Sequence, residues 1–135
     1  MTKSIQIVLI ILIISCGSVK KGIKNNIDET IIGTWIIEQS TFNEIGSPVP
    51  KNTTLKFTDD NRMMITLPKF GENYEDVSGI GTWKINDRMI TIEYDNVKLW
   101  GEKQSWQILK LTKDKLEWEM KMNDGIQKEK YNRKK

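Results

Sequence analysis

From Gly79 to Tyr94 the chain reads GIGTWKINDRMITIEY, a whole β-hairpin in one short stretch. Strand side chains alternate between two faces, so Gly81, Trp83 and Ile85 share one of them. Asn86, Asp87 and Arg88 supply turn chemistry, and Ile90, Ile92 and Tyr94 resume the alternation on the return strand. The opening Gly81, Thr82, Trp83 echoes an earlier Gly33, Thr34, Trp35. In both places the glycine is expected to give the backbone room to turn, and the tryptophan two residues later to enter a core. Two strands therefore begin by placing an indole in one interior.

Working outward, the same grammar repeats. Trp35 and Ile37 alternate in a strand from about Thr34 to Ser40, preceded by Asp28 to Ile32, which fits either a short helical turn or a simple lead-in. Gly46, Pro48 and Pro50 make Asn43 to Asn52 a loop, because proline has no N–H to give a ladder. Leu55 and Phe57 point inward on a strand over Thr53 to Thr58. Asp59, Asp60 and Asn61 turn the chain into a strand from Met63 to Leu67. A second loop, Pro68 to Ser78, carries Phe70 and Tyr74, and a third, Asp95 to Glu102, carries Trp100. Trp106 and Ile108 alternate between Lys103 and Leu111, where Leu109 and Leu111 shift the phase, the mark of a bulge. Leu116, Trp118, Met120 and Met122 then share a face opposite Glu117, Glu119 and Lys121. Asn123, Asp124 and Gly125 form a tight turn, and the last strand runs from Ile126 to about Arg133. Its lysines read as the guard of an exposed sheet edge.

Eight short strands and no long helix make this an all-β chain. An antiparallel up-and-down β-barrel of about eight strands removes its edges by closure; a two-sheet β-sandwich fits the same pattern. The length of 135 residues suits one such domain.

Composition excludes several kinds of chemistry. The chain has no histidine, hence no imidazole base, metal ligand or triad. Its 21 basic and 18 acidic residues leave a net charge of +3, a mixed surface and not the positive field that nucleic acid requires. Asp59 and Asp60 are adjacent and diverge, and Glu72, Glu75 and Asp76 lack the ligand spacing of a calcium loop. No catalytic residue, metal site or cofactor is expected, and the chain reads as a non-enzyme. The inward Phe57, Trp106, Trp118, Met120 and Met122 could line a pocket for a small hydrophobic ligand, or could simply fill the barrel. Phe70, Tyr74 and Trp100 are expected to flank an entrance if their loops share a rim, where they would meet a ligand or an envelope protein partner.

The one cysteine, Cys16, can form no intramolecular disulfide. Lys3 precedes an apolar run from Ile5 to Ile14, too short for the ~20 residues of a bilayer span but suited to an export signal. The sequence Ile13, Ile14, Ser15, Cys16, Gly17 resembles the lipobox of bacterial lipoproteins, in which cleavage precedes the cysteine and lipid is attached to it. An incidental cysteine behind an ordinary signal peptide is the alternative. The resemblance implies a signal peptide over 1–15, a lipidated Cys16 and flexible tether over 16–30, and a domain over 31–135. Gly17 and the lysines after it match neither the inner-membrane retention signal nor the acidic surface-export cluster of that family. By resemblance, the anchor then lies in the outer membrane facing the periplasm.

The Gly33, Trp35 signature, the eight strands, and the run Trp106, Gln107, Ile108, Leu109, Lys110, Leu111, Thr112 followed by Leu116 and Trp118 resemble the lipocalin-like domains of small Gram-negative lipoproteins. The likeness spans roughly Ile31 to Arg133. It implies that Trp35 closes one end of the barrel against a late arginine, for which Arg133 is the match, with Gly81 and Trp83 repeating the structural signature.

Overall fold

The computed structural model describes residues 26–135. The leader, Cys16 and the tether up to Asn25 lie outside the described residues. Where the tether was expected to run on to Thr30, the chain is already helical: α1 spans Asn26–Ile31. Ile31 is fully buried and Ile27 packs on the same core, so apolar burial draws this short turn into the domain.

The wall consists of β1 (Gly33–Phe42), β3 (Thr54–Phe57), β4 (Arg62–Leu67), β5 (Val77–Asn86), β6 (Met89–Tyr94), β7 (Gln104–Leu111), β8 (Lys115–Met122) and β9 (Gly125–Arg133). Between β1 and β3 lies a two-residue β2, Ile45–Gly46, and a one-turn α2, Val97–Trp100, joins β6 to β7. Each strand of the wall pairs antiparallel with the next strand of the wall, β2 pairs with β1 alone, and β1 also pairs with β9 from Trp35↔Arg133 to Phe42↔Gln127. That last ladder closes the barrel and overrules the sandwich. It also corrects the reading of β9 as an edge strand: both its sides are paired, to β8 and to β1.

Three local outcomes refine the expectations. The phase shift in β7 is a bulge between Ile108 and Lys110, and β1 carries another between Ile37 and Gln39. The first loop contains the small β2, which pairs Ile45 with Phe42 ahead of the prolines. Gly81 is not at a strand start, because β5 already begins at Val77. A side chain at Gly81 would strike the Glu93 carbonyl on β6, so this glycine permits close strand approach and not a turn. Gly33 does need its freedom: its φ is +132°, and the Arg133 guanidinium occupies the space of a missing Cβ.

The core is aromatic. Trp118 stacks on Trp106 with centroids 5.0 Å apart and meets Phe57 and Tyr131 edge-on at 6.2 and 5.6 Å. Phe57 in turn meets Trp83 edge-on at 5.7 Å. Offset and edge contacts of this kind add about 0.5–1.5 kcal/mol each beyond the area they bury. Each indole N–H of Trp35, Trp83, Trp106 and Trp118 has an acceptor, so polar satisfaction accompanies the packing.

Candidate ligand-binding cup

The two ends of the barrel are built differently. At the end where β1 starts and β9 finishes, α1 covers the interior. The Trp35 indole donates to the Ile31 carbonyl at 2.8 Å, tying α1 to β1. The Arg133 guanidinium lies 4.2 Å from the Trp35 ring centroid and donates to the carbonyls of Thr30, Ile32 and Lys113. One cation thus covers an indole and gathers three backbone carbonyls. The pairing implied for Trp35 and Arg133 is present, and this end is sealed.

Up-and-down alternation sends the β1–β2 hairpin, the β4–β5 loop, the α2 connection and the β8–β9 turn to the other end. The one helix there among the described residues is the single turn α2, whose Trp100 joins the cavity wall. Below this mouth the barrel encloses a cavity of about 130 Å³ walled by Leu55, Ile65, Ile92, Tyr94, Trp100, Gln104, Trp106, Trp118, Glu129 and Tyr131. At the mouth itself a wider, shallower space of about 440 Å³ is bordered by Phe42, Ile45, Pro48, Met122 and Gln127. The inner cavity holds roughly four molecules' share of liquid water at ~30 Å³ each, so it is a partly filled barrel with a small cup.

The cup has a polar seam along β9, where Gln127, Glu129 and Tyr131 occupy inner positions. The Glu129 carboxylate accepts from the Trp118 indole at 3.0 Å, from the Tyr131 hydroxyl at 2.5 Å and from the Gln127 amide at 3.4 Å. Gln127 also donates to Ser40 at 2.7 Å. Across the cup Gln104 accepts from Trp106 at 3.2 Å. Burial, and then the charge of Glu129, push the hydroxyls of Tyr94 and Tyr131 well above the ordinary tyrosine range. Both stay neutral donors under ordinary conditions.

The expected site residues fare unequally. Trp106 and Trp118 wall the cavity. Phe57 does not: it is buried deeper, between Trp83 and Trp118, and fills the barrel. Met120 is partly buried against the core, whereas Met122 is 49% exposed, because its inner-facing position lies past the last turn of wall, at the mouth. Its place in an interior binding set is therefore corrected to the rim. Trp100 is no free loop aromatic. It stacks on Tyr94 with centroids 5.2 Å apart and seats on Gly79, where a side chain would collide with its ring. Phe70 and Tyr74 are 58% and 80% exposed, on the loop that flanks the mouth.

The sequence places Tyr94 on a strand face without marking it as a site residue, and Gln104, Glu129 and Tyr131 go unmarked altogether. Their signal was parity: counting back by twos from Arg133 puts Tyr131, Glu129 and Gln127 on its face. The lysines at 128 and 130, which dominated the reading, take the other face. Of the other carboxylates, Glu38, Glu44, Glu93 and Asp95 form ion pairs and three brace turns. Asp60 accepts from the Thr58 hydroxyl and the Arg62 amide, Glu75 from the Asn73 amide at 2.8 Å, and Asp76 from the Lys69 amide at 3.0 Å. Among the described residues no three Asp, Glu, Cys or His side chains gather as metal ligands.

Comparison with known proteins agrees with this architecture. Residues 31–118 match the model of the lipocalin-like domain. No curated protein sequence matches the chain. Among solved structures, a lipocalin-like protein from Bacteroides uniformis aligns with a TM-score of 0.60 at 11% identity, covering 78% of this chain and 99% of that one. An uncharacterized protein from Bacteroides eggerthii gives 0.55 at 11% identity, covering 76% and 98%. A redesigned β-barrel gives 0.53 at 14% identity, covering 80% and 94%. At these identities the likeness is one of fold. Barrels of this family are generally carriers without catalysis. The family match covers more than half of the sequence, and the final strand beyond it supplies both the closing ladder and Arg133: the chain belongs to the lipocalin-like domain family.

Proposed function

We propose that this protein is a lipid-anchored, non-enzymatic carrier of the bacterial cell envelope that holds a small apolar or amphipathic molecule in its cup. The observation that carries the reading is the asymmetry of the barrel, sealed by α1, Trp35 and Arg133 at one end and opening onto an aromatic-walled cavity at the other. The anchor rests on the sequence: the apolar run ahead of Cys16 resembles a lipoprotein leader, and the residues after Cys16 fit the periplasmic side of an outer membrane. Because the described chain enters at the sealed end, an anchor at Cys16 leaves the mouth free to exchange its cargo.

Tryptophan fluorescence of the domain begun after Cys16, titrated with apolar and amphipathic probes of anionic, neutral and cationic head group, tests the carrier. Saturable binding of at least one probe is expected, and Ile65→Phe, which enlarges a side chain of the cup wall, is expected to weaken it. A folded domain that binds none of the probes excludes the reading. Cys16→Ser is expected to abolish lipid labelling and cleavage, and unchanged processing removes the anchor. A second reading, a module that docks on another envelope protein through its loops, draws on the exposed Ile45, Phe70, Tyr74 and Leu99 around the mouth.

A further inference from the structure

The cup's chemistry narrows the ligand. An anionic group and aromatic rings line the same small space: the stacked pairs Tyr94–Trp100 and Trp106–Trp118 supply the rings and Glu129 the carboxylate. None of the ion pairs among the described residues involves Glu129. Arg133, the cation on the same face of β9, is four residues away, about 13 Å by strand rise, and is held over Trp35 at the sealed end. The three donors on Glu129 are neutral, so its charge is solvated by dipoles and left without a counter-charge. Aromatic faces attract cations through their quadrupoles, and a carboxylate beside them adds direct attraction, stronger in a partly desolvated cavity than in water.

We propose that the cup selects a cationic head group, a small alkylated or quaternary ammonium, which enters head-first against Glu129 between the indoles. This rests on the carrier reading and deepens it by naming the chemical class of the cargo. Volume sets the orientation: about 130 Å³ accommodates an ammonium with its methyl groups and no long chain, so any apolar tail runs outward to the wider space lined by Phe42, Ile45 and Met122. The negative field of the cup is already felt by Tyr94 and Tyr131, whose ionisation it opposes after burial has done so. A carboxylate-headed amphiphile in the same position would face Glu129 with like charge.

The test is calorimetric titration of the full-length chain with choline and with 3,3-dimethylbutan-1-ol, its neutral isostere in which carbon replaces the charged nitrogen. The expected result is at least about tenfold tighter binding of choline than of the alcohol, a ratio that Glu129→Gln brings close to one. Trp100→Leu, which keeps an apolar wall but removes the π face and leaves Glu129 in place, is expected to weaken choline more than the alcohol. Equal binding of the two probes, or a preference for choline that survives in Glu129→Gln, overturns the proposal. If an apolar probe such as a fatty acid binds and choline does not, the cation preference is wrong and the carrier stands. If no probe of any class binds the folded chain, both fall.

Discussion

The sealed and open ends of this barrel use the same residue types to opposite effect. At the sealed end Trp35 has its N–H on Ile31, its face under Arg133 and no exposed surface. At the open end Trp100 leans on Tyr94 and borders a cavity, and Phe70 and Tyr74 stand largely in solvent. The end where the described chain enters is closed by buried and hydrogen-bonded groups, whereas the mouth gathers exposed apolar side chains such as Ile45, Phe70, Tyr74 and Leu99. Stability and binding are thereby separated along one barrel axis, so substitutions at the two ends should be read out by different measurements.

The largest effect is expected from Trp35→Ala. It removes a fully buried indole, its link to α1 and the platform under Arg133, so a loss of about 3–5 kcal/mol in denaturant unfolding is expected. A loss below 1 kcal/mol would mean that the seal is not where the stability lies.

A second test separates the walls from the ends. Tyr94 and Tyr131 hold their protons more firmly in the folded chain than in the unfolded one, whose tyrosines titrate near their ordinary value of 10.0. Their raised folded values contribute stability that is fully present below about pH 10 and lost as the pH climbs beyond it, because the unfolded chain then releases protons that the folded chain retains. Denaturation midpoints across the alkaline range should fall, and Tyr131→Phe should flatten the fall. An unchanged slope in Tyr131→Phe would show that the buried hydroxyl on Glu129 does not govern it.

Arg133→Met comes next. It keeps an apolar stem near Trp35 but deletes the charge and its three carbonyl contacts, for an expected loss of about 2–3 kcal/mol. Hydrogen exchange should locate the damage: amides of α1 and the start of β1 lose protection, whereas those bordering the mouth keep theirs. Uniform loss would show that the sealed end is not a unit of its own.

How much of this was legible in the sequence follows from range. Alternation is local, so the hairpin at Trp83, the inner face of Leu116 and Trp118 and the bulge after Ile108 could all be read from neighbours a few residues apart. Closure is a contact between the first and last strands, and nothing in the lysines of β9 distinguishes a guarded edge from a paired strand whose outer face is charged. Depth is equally non-local. Met120 and Met122 share parity with Trp118, yet only the height of the wall decides which of them is inside. The site was half legible for the same reason: indoles announce themselves in a sequence, whereas Glu129 becomes a site residue only when β9 is known to turn that face inward.

The smallest expected effect is the sharpest probe of the open end. Tyr74 has φ +58° and is 80% exposed, so a bulky side chain is held in the left-handed region with little packing in return. That conformation disfavours an L side chain by roughly 1–2 kcal/mol and costs glycine little, while glycine loses more entropy on folding. The two terms partly offset, and Tyr74→Gly is expected to raise stability by about 0.5–1 kcal/mol. The backbone bond from Tyr74 to the Gly71 carbonyl, 3.0 Å long, needs no side chain and should persist. A gain would mean that the rim carries an aromatic at the expense of stability, as expected of a surface kept for contact with a ligand or partner. A loss of 1 kcal/mol or more would mean that Tyr74 packs as the indoles of the sealed end do, and the contrast between the two ends would narrow to Trp35 and Arg133 alone.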